Sequence, residues 1–164
     1  MTRRLVVLEI TRMEATHLAG LVMQFSDLLT ETGDRSPSDP AVARLVPDAY
    51  PDDAEAAQEF RSLTQRDLLD RRSTDAAAVL ASLHDVVEPA LDPHDEGATQ
   101  IAVVELDADG LQSWLRTLAA VRLVLASRLG IVDEDDHDED DPRFGIYDWL
   151  GYRLEGLVKA AEGA

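Results

Sequence analysis

Leu111, Trp114, Leu115, Leu118, Val121, Leu125 and Leu129 recur mostly at three- and four-residue intervals, which places them along one face of an α-helix. So continuous an apolar stripe reads as core rather than as a cofactor-binding face, and Asp107 or Asp109 is placed to cap its start. A second stripe, Leu18, Leu21, Val22, Phe25, Leu28 and Leu29, predicts a helix from about Met13 to Glu31 that stops at Gly33. Thr11 and Glu14 stand at capping-box spacing ahead of it. After the turn-rich stretch 34–40, AVARLV predicts a short helical turn ending before Pro47.

Asp52 or Asp53 can cap a helix continuing through Ala56, Ala57 and Phe60. Thr64 and Asp67 offer a second start, and the following helix directs Leu68, Leu69, Ala76, Val79, Leu80, Leu83 and Val87 toward a core. An interruption is expected at Ser73 or Thr74, and an end at Pro89 and Pro93. The last helix begins near Ile146 and sends Trp149, Leu150, Leu154, Leu157 and Val158 inward.

Two short aliphatic runs, Leu5 to Ile10 and Thr99 to Glu105, suit strands better than helices, and pairing them gives a ribbon that is stable only when packed on a helical body. The expected architecture is mainly α: a compact bundle of about five helices with a small two-stranded β ribbon. It forms a single domain over residues 1–164, with a mobile acidic loop at 133–142 where like charges repel.

Charge narrows the classes of function. Fifteen basic residues against 33 acidic ones give a net charge of -18, which disfavours nucleic acid and anionic membranes and favours basic protein surfaces. The absence of cysteine removes disulfides, thiol catalysis and thiolate metal sites. No apolar run approaches a membrane span, and the N-terminal MTRRLVVLEITRMEA lacks the h-region of a signal peptide, so a cytoplasmic location is expected.

No residue set defines a catalytic centre, a metal site or a cofactor site. The acidic run DEDDHDEDD has no central glycine and does not match an EF-hand, and its His137 stands alone. Asp52, Asp53, Glu55 and Glu59 form a second acidic group; Glu55 and Glu59 share a helix face, where capping and arginine pairing explain them as well as acid–base chemistry does. Arginines concentrate at Arg61, Arg66, Arg71 and Arg72 and again at Arg116, Arg122 and Arg128. Arg122, beside Val121 and Leu125, is expected at the core edge with a paired head group. Tyr147 and Trp149 are expected to anchor the last helix, in the core or at an interface. His17, His84, His94 and His137 form no HExxH or HxxxH pair.

Three segments, LVPDAYPDDAEAAQEFRSLTQRDLLDRR, WLRTLAAVRLVLASRLGI and YDWLGYRLEGLV, occur in this order and resemble the motifs of the actinobacterial DUF2017 family of uncharacterised proteins. Tyr50, Asp52, Glu55, Glu59, Phe60, Arg61, Arg122 and Arg128 match its pattern. The resemblance implies association with the Clp protease, beside whose adaptor the family is often encoded, or with transcription, since part of the family resembles oxidative-stress regulators that sense oxidation through an N-terminal cysteine pair and act with a sigma factor. This chain has no such pair, so a thiol switch does not carry over. It also has Ala119 and Ala120 where the family pattern has Asn-Asp.

The expectation is a non-enzymatic regulatory or adaptor-like protein acting through protein contacts. The resemblance suggests a sigma factor, RNA polymerase or a Clp component as partner, and homodimerisation is an ordinary expectation. The alternatives are direct DNA binding through an arginine-rich face (Arg61, Arg66, Arg71, Arg72, Arg116) and a metal-dependent hydrolase built on Asp52, Glu55, Glu59 and a histidine such as His84. The interaction residues expected are Tyr50, Asp52, Glu55, Glu59, Phe60, Arg61, Arg122, Arg128, Tyr147 and Trp149.

Overall fold

The computed structural model describes residues 5–32, 39–46, 52–87, 94, 96–131 and 140–163. In chain order these form β1 (Val6–Thr11), α1 (Arg12–Thr32), α2 (Pro40–Ala43), α3 (Ala54–Leu83), β2 (Ile101–Leu106), α4 (Ala108–Leu129) and α5 (Gly145–Glu162). Short 3-10 turns at Glu96–Thr99 and Pro142–Phe144 lead into β2 and α5. The molecule is a mainly helical bundle with a small two-stranded antiparallel sheet, as the periodicities predict.

Helix starts follow the local chemistry. The Glu14 N–H donates to Thr11 Oγ1 at 3.1 Å and the Thr11 N–H donates to Glu14 Oε1 at 3.3 Å, completing the expected capping box. Asp53 accepts from the Ala56 N–H, Asp107 from the Gly110 N–H and Asp39 from the Ala41 N–H. Of each pair of expected caps, Asp53 and Asp107 are the ones used.

The expected break within the central helical segment is absent. α3 is one helix of 30 residues. Thr64 Oγ1 donates to the Phe60 carbonyl at 2.8 Å and Thr74 Oγ1 to the Asp70 carbonyl at 3.0 Å. Both hydroxyls therefore bond back into the turn they belong to and do not cap a new helix.

The ribbon pairs Val6 with Leu106 through Thr11 with Ile101. Its inner face, including Ile10, Val104 and Leu106, joins the core, and its outer face carries Val7, Glu9, Val103 and Glu105. The core also takes Leu18, Val22 and Leu29 from α1, Val79 and Leu83 from α3, Trp114 and Leu118 from α4, and Leu150 from α5. The buried Trp114 ring satisfies its Nε1–H on Ser82 Oγ at 2.8 Å. Two residues expected to point inward do not: Leu68 and Val158 are exposed, because Leu69 and Leu157 occupy the adjoining core positions.

α4 closes on Gly130, whose φ of 75° lies in the left-handed region. The Ile131 N–H then returns to the Ala126 carbonyl at 2.8 Å, and the Ile131 side chain is buried against Ala126 and Tyr147. A Cβ at position 130 meets no neighbour, so the cost of substitution comes from the backbone alone. Gly130→Ala is expected to destabilise the fold by about 1 kcal/mol, read as a lower midpoint in chemical denaturation.

Candidate functional site

The expected interaction residues do not form one site. Asp52, Glu55 and Glu59 are exposed around the first turns of α3, with Phe60 partly exposed on the next turn. His84 caps the opposite end of the same helix, roughly 40 Å away at 1.5 Å per residue. A hydrolase centre uniting these carboxylates with His84 is therefore excluded by geometry. Among the described residues, no group of three or more His, Cys, Asp or Glu is placed to hold a metal ion. Tyr50, the Arg61 side chain and residues 133–139 of the acidic run lie outside the described residues.

The arginines do not make a uniform basic face. Arg71, Arg72 and Arg116 line one groove between α3 and α4, but Asp67, Asp70 and Asp75 line it with them. Arg116 stands 3.7 Å from Asp75, which also accepts from Ser113 Oγ at 3.0 Å. Arg128 pairs with Asp39 at 2.8 Å. That contact ties the end of α4 to the cap of α2; the hydrogen bonds from Arg128 and from the Ala41 N–H hold the Asp39 carboxyl below its ordinary pKa of 3.8.

Arg122 lies at the core edge, as expected. Its guanidinium carbon sits 4.0 Å from the centre of the Tyr147 ring, and its Nε–H donates to the Tyr147 carbonyl at 3.2 Å. The space is available because residue 151 is glycine: a Cβ there would stand 2.8 Å from an Arg122 terminal nitrogen. Arg122 and Tyr147 together fasten α5 to α4.

A second fastening joins α5 to the start of α1. Glu14 Oε2 accepts from Trp149 Nε1 and from Arg153 Nη2, each at 2.7 Å, while its other oxygen serves the capping box. Arg153 also donates from Nη1 to the Glu9 carbonyl at 3.0 Å. Trp149 thus has the anchoring role expected of it. Arg153 was not singled out in the sequence; its position one turn after Trp149, on the same helix face, was the available signal.

Glu14 also lines a space between α1 and α5. Between them runs a groove of about 500 Å³, floored and walled by Leu21, Ile146, Trp149 and the backbone of Gly20 and Gly145, with His17 at its rim. At Leu21 and Gln24 it meets a second hollow of about 310 Å³ between α1 and α4, walled by Leu28, Val121, Val124 and Leu125. The two hollows share Leu21 and Gln24 and follow one another along α1 from Glu14 to Glu31, a largely apolar, interrupted trough of about 26 Å at the helical rise. Ile146 stands 52% exposed on its wall. Of the expected residues only Trp149 and Arg128 line it.

With this geometry in place, comparison with known proteins adds one finding. A model of a domain of unknown function, DUF2017, matches residues 1–161. The chain belongs to the DUF2017 family. No curated protein and no solved structure matches it. Among the described residues, no helix is long and apolar enough to cross a membrane.

Glu14 gives the site a pH dependence. Burial raises its pKa, but hydrogen bonds from Arg153, Trp149 and the Thr11 backbone, with the charge of Arg153, outweigh burial and hold it below the ordinary 4.5. A depressed folded-state pKa contributes stability that is complete above about 4.5 and is lost as the pH falls through the folded value. Glu14→Gln is expected to cost roughly 1–2 kcal/mol at pH 7, discounted for partial exposure. The difference from the unsubstituted protein should shrink below pH 4.5. Denaturant titrations at neutral and acid pH check both.

Proposed function

We propose that the protein is a non-catalytic regulatory or adaptor-like module that works by docking a partner protein in the trough along α1. One observation carries this reading: two adjoining hollows beside α1, lined largely by apolar side chains, lie open in a chain of net charge -18. A groove lined by apolar side chains is a natural contact surface for a partner. The partner class is a component of transcription, such as a sigma factor or RNA polymerase, or of Clp proteolysis, as resemblance to the family's regulators suggests; the site of action is the cytoplasm. An oxidation-sensing role here would need a trigger other than cysteine, since the chain contains none.

Affinity capture from a native lysate tests the reading when the unsubstituted protein is compared with Ile146→Glu, which places a charge on the trough wall without disturbing a buried position. The expected result is a reproducible transcription or Clp component that is lost with Ile146→Glu. Recovery of the same partners by both proteins, or of none by either, overturns the proposal.

A further inference from the structure

The ribbon is paired on one side only. Among the described residues β1 pairs with β2 alone, so its other edge carries no strand. In an antiparallel strand the N–H and C=O of one residue point to the same side, and those of the next residue to the other. The Arg12 N–H donates to the Gln100 carbonyl across the ribbon, which continues the ladder of Val6, Leu8 and Ile10. The main-chain groups of Val7 and Glu9 therefore point away from β2. The Glu9 carbonyl bears this out, since it accepts from Arg153 Nη1 of α5.

Two contacts close this edge at its α1 end. Glu14 Oε1 takes the Thr11 N–H, and Arg153 takes the Glu9 carbonyl. Ahead of them the Glu9 N–H, the Val7 carbonyl and the Val7 N–H stand in line, with no hydrogen-bond partner among the described residues. A groove of about 710 Å³ runs along the same edge. One wall is β1 from Val6 to Glu9, and the other is the face of α5 that carries Tyr152, Gly156, Lys159 and Ala160. Nothing stands within 4 Å of where a Cβ of Gly156 would be, and Ala160 is short, so the α5 wall leaves room for side chains.

These groups select what lies here. A donor, an acceptor and a donor at strand spacing are met by another extended backbone, whereas a helix has its N–H and C=O groups committed internally. A second copy pairing edge to edge about a two-fold axis would carry its own α5 to the same face of the sheet. Paired strands stand about 4.8 Å apart, while packed helices need about 8–10 Å between axes, and α5 already lies along this edge. A single extended segment brings no such helix. We propose that the free edge of β1 takes an extended segment of a partner protein as a third strand of the sheet. Alternate side chains of that segment lie over Gly156 and Ala160, where Val6, Leu8 and Leu157 make the surroundings apolar, and the others stand beside Val7 and Glu9 on the outer face. This surface shares no residue with the hollows beside α1 and is independent of the docking role proposed for them.

The test uses a labelled nine-residue peptide that alternates valine with lysine or threonine, read by fluorescence anisotropy against the full chain. Two N-methylated versions accompany it, one methylated at every valine and one at every lysine and threonine. Only alternate N–H groups of an added strand face β1, so one version should lose at least tenfold in affinity and the other should keep it. Val7→Pro removes a donor at an edge position where proline is tolerated, and should weaken binding at least tenfold. Gly156→Leu fills the α5 wall from a position without neighbours; it should weaken binding equally without lowering the thermal midpoint, and it serves should Val7→Pro disturb the ribbon. Amide exchange at Val7 and Glu9 should slow at least tenfold in the bound state.

Failure of the peptide to bind, equal effects of the two N-methylated versions, or unchanged exchange at Val7 and Glu9 overturns the inference. Binding that survives both Val7→Pro and Gly156→Leu overturns it as well. A dimer of the unsubstituted protein that Val7→Pro dissolves overturns it in favour of a second copy at this edge.

Discussion

One carboxylate joins three elements. Glu14 closes the first turn of α1 with one oxygen and takes the Trp149 indole and the Arg153 guanidinium with the other, while Arg153 reaches on to the Glu9 carbonyl of β1. Such charge-assisted bonds are short and directional. They hold α5 against the head of α1, and α5 otherwise packs chiefly on α4 through Tyr147, Arg122 and Leu150. The groove beside Glu14 lies between these two fastened helices, α1 and α5.

Dependence on one partly buried group has a structural cost. Arg153 Nε is buried without a hydrogen-bond partner, so the guanidinium is satisfied only through its terminal nitrogens. Removing Glu14 would leave a charge at the edge of the core with only a carbonyl to face. The capping box and the inter-helix contact share the same residue, which couples the start of α1 to the seating of α5.

The helices, the ribbon and most caps were legible because they rest on local chemistry: apolar periodicity, acids ahead of α3 and α4, and Thr11 with Glu14. The break expected near Thr64 or Thr74 shows where that reading stops, since a threonine caps or back-bonds according to whether the helix is already running, and this depends on residues far along the chain. The site was less legible. Trp149 and Arg122 stood out as an aromatic and a cation beside apolar stripes, yet their partners, Glu14 and the Tyr147 ring, lie on other segments. The trough is built largely from Gly20, Leu21, Ile146 and Gln24, residues with no chemical signature, and it is defined by the space between helices rather than by any motif.

The ribbon and the Glu14 contact also order events during synthesis. β1 emerges early, but its pairing partner β2 lies about ninety residues later, and Arg153 meets Glu9 across 144 residues. Until those segments exist, β1 has no pairing partner although α1 can already pack on α3, and contacts so distant in sequence form slowly. The chain therefore cannot finish folding vectorially from its leading end. β1 waits for β2 and for Arg153 of the last helix, and during that wait it is a strand edge open to misassociation or to chaperones.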